Sequence, residues 1–466
     1  MSRETTSVTR RDFLRVVAVG GGAFCLGVSW PGRAAAAGTG AETWRPGAFV
    51  RLEPDGRVVV ISKHTEMGQG VFTTLALAVA EELDVPWTSV AVETEPADPK
   101  FAHLHSKFQM TGGSSSTREA LDSMRLAGGT ARAVLVQAAA ERWGVAVERL
   151  RTEAGQVLAD DGRTAAYGSL LAAAARLPLP DTVPLKPRSE WRLLGRDASR
   201  VEAADKVTGR ALFGFDVTVP GLKTVLIARA PRFGAVLEAW DDTAARRVPG
   251  VLAVVPVWSG VAVVAEGFLA AQRGREALVT RWSPGPIADW DEARIDAVFA
   301  EAIAAPGLSA QQSGDFAAAW TDAARRIEAT FDLPYLAHAC MEPLNATAWL
   351  RPDGMLEVWA PTHFPGPDRD AAAQVAGLSL ERVILHPCLM GGSFGRKAAA
   401  TSDFVREAVD VARQVKWPVK VVWTREDDLR GGFYRPRVKA RVRLALAADG
   451  ALAGWGIDTA GQRMST

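Results

Sequence analysis

The residues best suited to ligand chemistry form a glycine-rich stretch, residues 389–397, with the sequence LMGGSFGRK. An apolar run at residues 382–385 precedes it and predicts a strand, and residues 403–409 predict a helix. A strand, a glycine-rich turn and a helix in this order direct backbone N–H groups toward a bound anion. The stretch is therefore a candidate ligand-binding loop.

Two cations follow the glycines of this loop and add positive charge beside the turn. They are Arg396 and Lys397, and a turn that is merely basic remains the simpler alternative. The loop is not a Walker A motif, because Arg396 stands before Lys397 and Ala398 replaces the hydroxyl residue that such a motif requires.

A second stretch, residues 64–70 (HTEMGQG), contains a Gly-x-Gly turn. It lies between a predicted strand at residues 58–61 and a predicted helix at residues 71–83, and residues 90–93 predict the next strand. This order is typical of a dinucleotide-binding Rossmann unit, which would bind NAD(P).

The match to that unit is partial. Thr73 stands where the third glycine belongs, although Glu93 lies near the expected ribose-binding position. His64 could be a ligand, but a histidine in such a place is more often a hydrogen-bonded structural residue.

A third stretch, residues 109–118 (QMTGGSSSTR), combines glycines with hydroxyl residues ahead of a predicted helix at residues 119–142. It is either a flexible linker with a Ser/Thr helix cap or a polar loop that binds a ligand. Arg118 at its end suits a phosphate or a polar ring.

Length and composition describe an ordinary globular protein. The 466 residues, of which 48% are hydrophobic and 23% charged, can form roughly two to four domains. The formal net charge of +1 gives no reason to expect nucleic acid or an anionic membrane as a partner.

The N-terminus predicts an export signal over residues 1–37. Arg10 and Arg11 precede an apolar stretch at residues 16–28 that is too short to span a bilayer, and small residues at 34–37 offer a cleavage site near Ala37. Paired arginines indicate the twin-arginine route, which exports folded proteins, and hence a periplasmic location. No later stretch is apolar for long enough to cross a membrane.

Two cysteines, Cys340 and Cys388, follow the predicted signal. Their number and spacing make zinc and iron–sulfur sites unexpected in this chain. Whether the two form a disulfide is open at this point.

The three stretches together resemble the molybdopterin-binding large subunits of the xanthine dehydrogenase/aldehyde oxidase family. Their order is permuted, and with the twin-arginine signal it resembles the isoquinoline 1-oxidoreductase branch, which includes periplasmic aldehyde dehydrogenases. Further stretches at residues 335–343, 359–362 and 423–427 fit the same family. The resemblance implies a multi-domain α+β fold.

The family resemblance also implies domain limits. A first molybdopterin-binding segment would span residues 44–185, and residues 155–190 are interpreted as an Ala- and Pro-rich connection to the next domain. An α/β hammerhead domain would span residues 191–285. A second, incomplete molybdopterin-binding segment would span residues 314–466.

The implied cofactor is a molybdopterin cytosine dinucleotide, whose dithiolene binds the molybdenum, so that no residue of the chain is a metal ligand. By resemblance, Phe394 and Gly113 lie beside the metal, Phe394 through its backbone N–H, whereas Gln69 and Ser114 lie on the pterin. The full set of implied cofactor-binding residues is Gly68, Gln69, Gly70, Thr111, Gly112, Gly113, Ser114, Ser116, His363, Gly391, Gly392, Ser393, Phe394, Gly395 and Arg396.

Two positions depart from the family pattern. His363 stands where a glutamine usually donates a hydrogen bond to an oxygen ligand of the metal, and an imidazole can also donate. Ser393 stands where a third glycine is usual.

The implied function is the hydroxylation of an aldehyde or an N-heterocycle with oxygen from water. Electrons would pass to a separate [2Fe–2S] small subunit and then to a cytochrome c. The alternatives are an NAD(P)-binding Rossmann oxidoreductase and a non-catalytic cofactor-binding protein.

The catalytic base of the family is a glutamate in a Gly-x-Gly-Glu motif, which is not found after Lys397. Glu426, Asp427 and Asp428 are interpreted as a strand end with exposed charge. The catalytic residue is therefore unknown, and the expectation is a truncated chain that cannot turn over by itself.

Overall fold

The computed structural model describes residues 15–19, 23–27, 48–180 and 182–462. The rest of the predicted export signal, including Arg10, Arg11 and the cleavage site, lies outside the described residues. The strands are β1 Arg15–Val19, β2 Ala23–Gly27, β3 Ala48–Leu52, β4 Val58–Ile61, β5 Val90–Glu93, β6 Leu150–Glu153, β7 Gln156–Ala159, β8 Thr164–Ala166, β9 Lys223–Arg229, β10 Leu237–Asp241, β11 Val251–Val257, β12 Gly260–Ala265, β13 Val279–Trp282, β14 Arg325–Leu333, β15 Leu336–Ala337, β16 Asn345–Leu350, β17 Leu356–Ala360, β18 Val383–Pro387, β19 Val419–Val422, β20 Tyr434–Arg435, β21 Val438–Leu446 and β22 Leu452–Gly461.

Helices lie between these strands along the described chain, and this mixture confirms the α+β class. They are α1 Val71–Leu83, α2 Ser116–Trp143, α3 Leu171–Ala174, α4 Ala203–Val207, α5 Phe268–Glu276, α6 Glu292–Ala304, α7 Phe316–Asp322, α8 Pro365–Ala376, α9 Asp403–Ala412 and α10 Arg425–Arg430. The chain forms two compact units. The first combines the described residues up to Val225 with Cys340–Val422, and the second combines Leu226–Ala339 with the described residues from Trp423 onward.

A five-stranded sheet and two long helices build the first part of unit 1. The strand order is β1–β2–β3–β4–β5, and only β4 and β5 run parallel, because α1 forms the crossover between them. α1 is apolar on nearly all sides and therefore buried, and it packs along α2. Gly128 permits this close approach, since a Cβ there would lie 2.6 Å from the carbonyl oxygen of Val79.

Residues 155–190 were expected to be a connection, and that expectation is wrong in part. β6, β7 and β8 form a small antiparallel sheet, and the short helix α3 follows it. Tyr167 and Leu170 are buried in the same core as Leu83 and Leu135. The segment therefore completes the core of unit 1.

A second sheet of unit 1 carries the glycine-rich loop. β16 pairs antiparallel with β17 and β19, and β17 pairs parallel with β18. α8 and α9 pack against these strands. The loop of residues 389–397 begins directly after β18 and ends before α9, as the sequence predicted.

Unit 2 contains a β11–β12 hairpin with α5, a β10–β13 pair, and a three-stranded sheet β14–β21–β22 with α6 and α7. The boundary between the units falls inside the predicted middle domain of residues 191–285. The assignment of that segment as an α/β hammerhead stays a prediction.

Candidate functional site

Backbone and side-chain hydrogen bonds within unit 1 tie the three predicted loops together. The N–H of Thr65 donates to Oγ1 of Thr111 over 2.9 Å. The N–H of Thr111 donates to the carbonyl of His363 over 2.8 Å, and Nδ1 of His363 returns a 2.9 Å bond to the carbonyl of Thr111. The N–H of His363 donates to the carbonyl of Lys397. Segments that are far apart in sequence thus form one cluster.

The N-terminus of α1 is occupied by a carboxylate of the chain itself. Oε1 of Glu66 accepts hydrogen bonds from the N–H groups of Gly68 (2.8 Å) and Gly70 (2.9 Å), and Oε2 accepts one from Phe72. Arg200 completes the arrangement with a 3.0 Å ion pair. The amides of Gly68 and Gly70 are therefore engaged by Glu66. The assignment of these two residues to the cofactor stays a prediction.

The contacts of the first predicted loop, residues 64–70, do not support an NAD(P) site. Oε1 of Gln69 accepts from the N–H of Met67, and Nε2 donates to the carbonyl of Thr65. Both ends of this side-chain amide are therefore hydrogen-bonded within the loop. Glu93, the candidate ribose ligand, is instead held by both terminal nitrogens of Arg51. Neither the phosphate-binding nor the ribose-binding feature of a Rossmann unit is available.

His64 is a structural residue. Its Nε2 lies 2.6 Å from Oε1 of Glu119, which also pairs with Lys63, and its Nδ1 lies 3.0 Å from the carbonyl of Met110. Burial would raise the pKa of Glu119, but the hydrogen bonds and charges of His64 and Lys63 lower it to about 2. This ionised carboxylate fixes the first loop to the start of α2.

The second loop presents free amides at its tip. Gly113 has a φ of +61° and Ser114 a φ of +52°, and both are exposed. Within the described residues, neither of their N–H groups makes a hydrogen bond, whereas the N–H of Gly112 donates to Oγ of Ser116. Ser114 is not a glycine, so its left-handed backbone is strained by about 1 kcal/mol or more. Such strain is common where a loop contacts a ligand.

The third loop has the same features over a longer stretch. Gly392, Phe394 and Gly395 have positive φ values of +85°, +52° and +106°. In the described part of the chain, none of the N–H groups of residues 392–395 has a hydrogen-bond partner. Successive amides in such a backbone form a concave anion-binding or oxygen-binding surface. The ring of Phe394 is 74% exposed at the tip of this loop.

The two cations of this loop pair with carboxylates of the chain itself, and the assignment of Arg396 to the cofactor stays a prediction. Arg396 is buried and pairs with Asp403 at 2.6 Å. Lys397 is buried and pairs with Glu342 at 2.7 Å. A buried charge requires such a partner, so both cations stabilise the loop itself.

Glu342 organises the base of the third loop. Its Oε2 accepts the N–H of Gly391 over 2.8 Å, and its Oε1 accepts from the backbone of Phe215 and the amide of Asn345. A Cβ at Gly391 would lie 2.5 Å from Cβ of Glu342, which explains that glycine without any ligand. Ser393 is buried and accepts the N–H of Lys397.

His363 is buried between the second and third loops, with one nitrogen unused. Its Nδ1 must carry the proton, because the carbonyl of Thr111 can only accept. In the described structure Nε2 is buried and has no hydrogen-bond partner. Burial lowers the pKa of His363 to about 4, so the ring is neutral near pH 7. Nε2 therefore offers a lone pair to a donor, whereas the glutamine that is usual at this position in the family donates.

The acidic run after β19 is also structural. Thr424 and Asp427 form a reciprocal capping box at the start of α10, and Asp427 pairs with Arg275 at 2.7 Å. Asp428 is buried and pairs with Arg425. The expectation of a strand end with exposed charge is wrong for Asp427 and Asp428.

Sequence reasoning missed the two glutamates that organise these loops. Glu66 and Glu342 both lie in the motifs described above, but neither was recognised as an internal anion. A glutamate shortly before the predicted helix at residues 71–83 was the available signal for Glu66. Glu342 gave no such signal, since its partner Lys397 lies 55 residues away.

Neither cysteine resembles a reactive centre. Neither forms a disulfide in the described structure, and Sγ of Cys340 donates to the carbonyl of Ser393. Burial raises the pKa of the Cys388 thiol to about 12. No group of three or more His, Cys, Asp or Glu residues that could hold a metal ion exists among the described residues.

A large cavity lies away from the three loops. Its volume is about 1080 Å³, and Arg132, Lys186 and Trp191 are among its lining residues. None of the predicted cofactor-binding residues lines it.

Comparison with known proteins confirms the family that the sequence resembles. Two profiles, each described as a molybdopterin cofactor-binding domain, match residues 10–219 and 300–462. The beta subunit of isoquinoline 1-oxidoreductase from Brevundimonas diminuta is 33% identical over 95% of this chain and 62% of that protein. A membrane-bound aldehyde dehydrogenase of Gluconacetobacter polyoxogenes, named for pyrroloquinoline quinone, is 29% identical over 97% of this chain and 61% of that protein.

A nicotinate dehydrogenase subunit of Pseudomonas putida is 30% identical over 88% of this chain and 35% of that protein. The chain belongs to the molybdopterin-binding subunits of the xanthine dehydrogenase family, and within it resembles the isoquinoline 1-oxidoreductase branch. It spans less than two thirds of the length of each of these relatives. Over the residues that the structure describes, no helix has the length and apolar character that a membrane span requires.

Proposed function

We propose that this chain binds a molybdenum–pterin cofactor on its second and third loops and belongs to an enzyme that hydroxylates an aldehyde or an N-heterocycle. The observation that carries this proposal is the run of unpartnered amides at residues 392–395, which lies on the loop that His363 ties to Thr111. Family membership supplies the class of cofactor.

The residues present fit a flat, polar, phosphorylated cofactor. Such a group needs many hydrogen-bond donors without bulk, and the open amides of residues 113–114 and 392–395 supply them. The buried acceptor Nε2 of His363 would take a donor from the cofactor or from a group bound to it. When bound, the cofactor would supply a redox metal that accepts electrons from the substrate.

The chain's own residues would hold and orient that group. Phe394 would donate its backbone N–H, in a strained conformation that the loop enforces before any ligand arrives. Glu342, through Gly391 and Lys397, and Glu66, through the N-terminus of α1, fix the loops in place. Preformed donors lose little conformational entropy on binding.

Finer features belong to the same proposal. The cofactor would be the cytosine dinucleotide form, and electrons would leave through a separate [2Fe–2S] subunit to a cytochrome c. The related proteins of B. diminuta and P. putida are named as subunits, which supports the expectation of partner subunits. Paired Arg10 and Arg11 support a periplasmic location reached by the twin-arginine route.

The test is to measure what the purified chain carries. We expect molybdenum by mass spectrometry and, after oxidation of a heated extract, a fluorescent pterin together with a cytosine nucleotide. Gly392→Val should lower both contents about tenfold or more, because a β-branched residue at a φ of +85° distorts the loop.

Gly450→Val is the matched control, since Gly450 has the same φ of +85° in a hairpin turn of unit 2. It should lose comparable stability and keep the cofactor. Release of NAD(P) or pyrroloquinoline quinone in place of a pterin would contradict the proposal, as would equal cofactor loss in both variants.

A further inference from the structure

The hydroxyl group of Thr362, the neighbour of His363, lies among three hydrogen-bonding partners in unit 1. The N–H of Phe364 donates to its Oγ1 over 2.9 Å. A carboxylate oxygen of Asp368 and, at 3.3 Å, the carbonyl oxygen of Lys397 lie within hydrogen-bond distance of the same Oγ1. Thr362 is 0% and Asp368 2% exposed, so bulk water cannot replace a partner that is lost.

Two of these partners compete for one hydrogen. A hydroxyl group has a single hydrogen to donate and two lone pairs with which to accept. The carbonyl of Lys397 and an ionised carboxylate at Asp368 can both only accept. The protonation state of Asp368 therefore decides which of them the hydroxyl of Thr362 binds.

The two protonation states give two different hydrogen-bond patterns. When Asp368 is ionised, the hydroxyl donates to the carboxylate, because a charged acceptor forms the stronger bond. The carbonyl of Lys397 then keeps one donor, the N–H of His363 at 3.1 Å. When Asp368 is protonated, its O–H donates to Oγ1 of Thr362, and the hydroxyl hydrogen can point to Lys397 as a second donor.

The surroundings of α8 place this change of state near neutral pH. Burial raises the pKa of Asp368 to about 7, and hydrogen bonds from Ser402 and Thr362 oppose it. α9 and β18 pack against α8. Among their described residues, Asp403 of α9 is the charged group that acts on Asp368, and it raises the same pKa. His386 of β18 instead pairs with Glu357.

We propose that Asp368 is a positioning residue of the candidate site, which sets through Thr362 whether the carbonyl of Lys397 has one hydrogen-bond donor or two. Lys397 ends the third loop, and its carbonyl joins this loop to His363. The protonated acid therefore holds the end of the loop with two hydrogen bonds and the ionised acid with one. The proposal concerns bonds of the chain itself, so it does not depend on the identity of the cofactor.

The sequence allows this carbonyl to be observed almost alone. A lysine precedes an alanine at two places, residues 397–398 and residues 439–440. Labelling lysine carbonyls with carbon-13 and alanine with nitrogen-15 in the full-length chain therefore gives two correlations in an NMR spectrum. We expect the Lys397 carbonyl resonance to move downfield as the pH falls from about 8.5 to about 5.5, with a midpoint near 7, because the carbonyl gains a donor.

The second correlation is an internal control. Lys439 pairs with Asp332, and the cations beside Asp332 lower its pKa to about 2, so this pair does not titrate in the measured range. The Lys439 resonance should therefore stay in place. Ala440→Gly removes it and so assigns the other correlation. His363, with a pKa of about 4, also titrates outside the range.

Three variants separate a positioning role from burial alone. Asp368→Asn has an amide that can donate to Thr362 at every pH, so the Lys397 resonance should stay at its low-pH position. Thr362→Val lacks the hydroxyl and should abolish the shift. Thr362→Ser keeps the hydroxyl and should retain the shift, which guards against a loss caused by poor folding.

Two kinds of result would overturn the proposal. One is a Lys397 resonance that does not move over this range, as expected if protonated Asp368 donates to Ser402 and leaves Thr362 bound to the carboxylate. The other is a shift that persists in Asp368→Asn or in Thr362→Val, because another group would then cause it.

Discussion

At the scale of single residues, His363 differs most from its sequence-based expectation. The position is one where a donor was expected, yet Nδ1 is committed to the carbonyl of Thr111 and leaves Nε2 as an acceptor. A site built around an acceptor selects a group that carries a proton. The difference between a donor and an acceptor at one buried atom thus changes which protonation state of a ligand the loops can hold.

We expect nitrogen NMR of a histidine-labelled sample to show His363 as the neutral Nδ1–H tautomer from pH 5 to 8. The unfolded chain takes up the proton near pH 6.5 and the folded chain only near pH 4. The stability that depends on the neutral ring is therefore complete above pH 6.5 and is lost as the pH falls toward 4.

His363→Gln removes this titration. As the pH falls from 6.5 to 4, the free energy of unfolding of the variant should rise relative to that of the wild type by on the order of 3 kcal/mol, measured by chemical denaturation. A His363 ring that is protonated at pH 6, or carries its proton on Nε2, would refute the assignment.

At the scale of elements, the first turn of α8 contains a buried carboxyl group close to the site. Asp368 bonds to Oγ1 of Thr362, the neighbour of His363. Burial raises the pKa of Asp368 to about 7, against the opposing effect of hydrogen bonds from Ser402 and Thr362. The folded chain therefore holds a proton there that the unfolded chain releases near pH 4.

Because the pKa of Asp368 is higher in the folded chain, its protonated carboxyl group contributes its full stabilisation below about pH 4. This contribution is lost as the pH rises to 7. As the pH rises from 5 to 8, the free energy of unfolding of Asp368→Asn should therefore rise relative to that of the wild type by on the order of 3 kcal/mol, measured by urea unfolding. Asp55→Asn, in an exposed turn of the same unit, is the control for the loss of one carboxyl group. A parallel pH response of both variants would exclude a raised pKa at Asp368.

The elements around the site could be predicted where local pattern determines them. The apolar run of β4 and the helical spacing of α1 reproduced the observed bounds Val58–Ile61 and Val71–Leu83. Residues 155–190 were misjudged because their strands are short and rich in alanine and threonine. α10 was misjudged although Thr424 and Asp427 have the spacing of a capping box.

The side-chain interactions within the site were less predictable than the helices and strands around it. The loops were recognised by their glycines, but the partners of their charged residues were not. Arg200 reaches Glu66 across 134 positions and Lys397 reaches Glu342 across 55, and no local pattern encodes such pairs. The sequence therefore did not predict that Arg396 and Lys397 pair with carboxylates of the chain itself.

At the scale of the whole molecule, the assembly of the site bears on how the protein reaches its compartment. His363 and Thr111 are 252 positions apart, and Thr111 and Thr65 are 46 apart. Loops that depend on such distant partners exist only in the folded chain. We therefore expect a cofactor that binds there to be inserted after folding.

This order of events favours export of the folded, loaded protein, which is what Arg10 and Arg11 indicate. Changing both to lysine should retain the protein in the cytoplasm with its molybdenum content unchanged, as measured by cell fractionation and metal analysis. Arg3→Lys with Arg15→Lys, which keeps the adjacent pair, should export normally. Unchanged periplasmic yield from the Arg10/Arg11 variant would refute this route, since an unfolded chain crossing another channel could not carry a cofactor held by loops 252 residues apart.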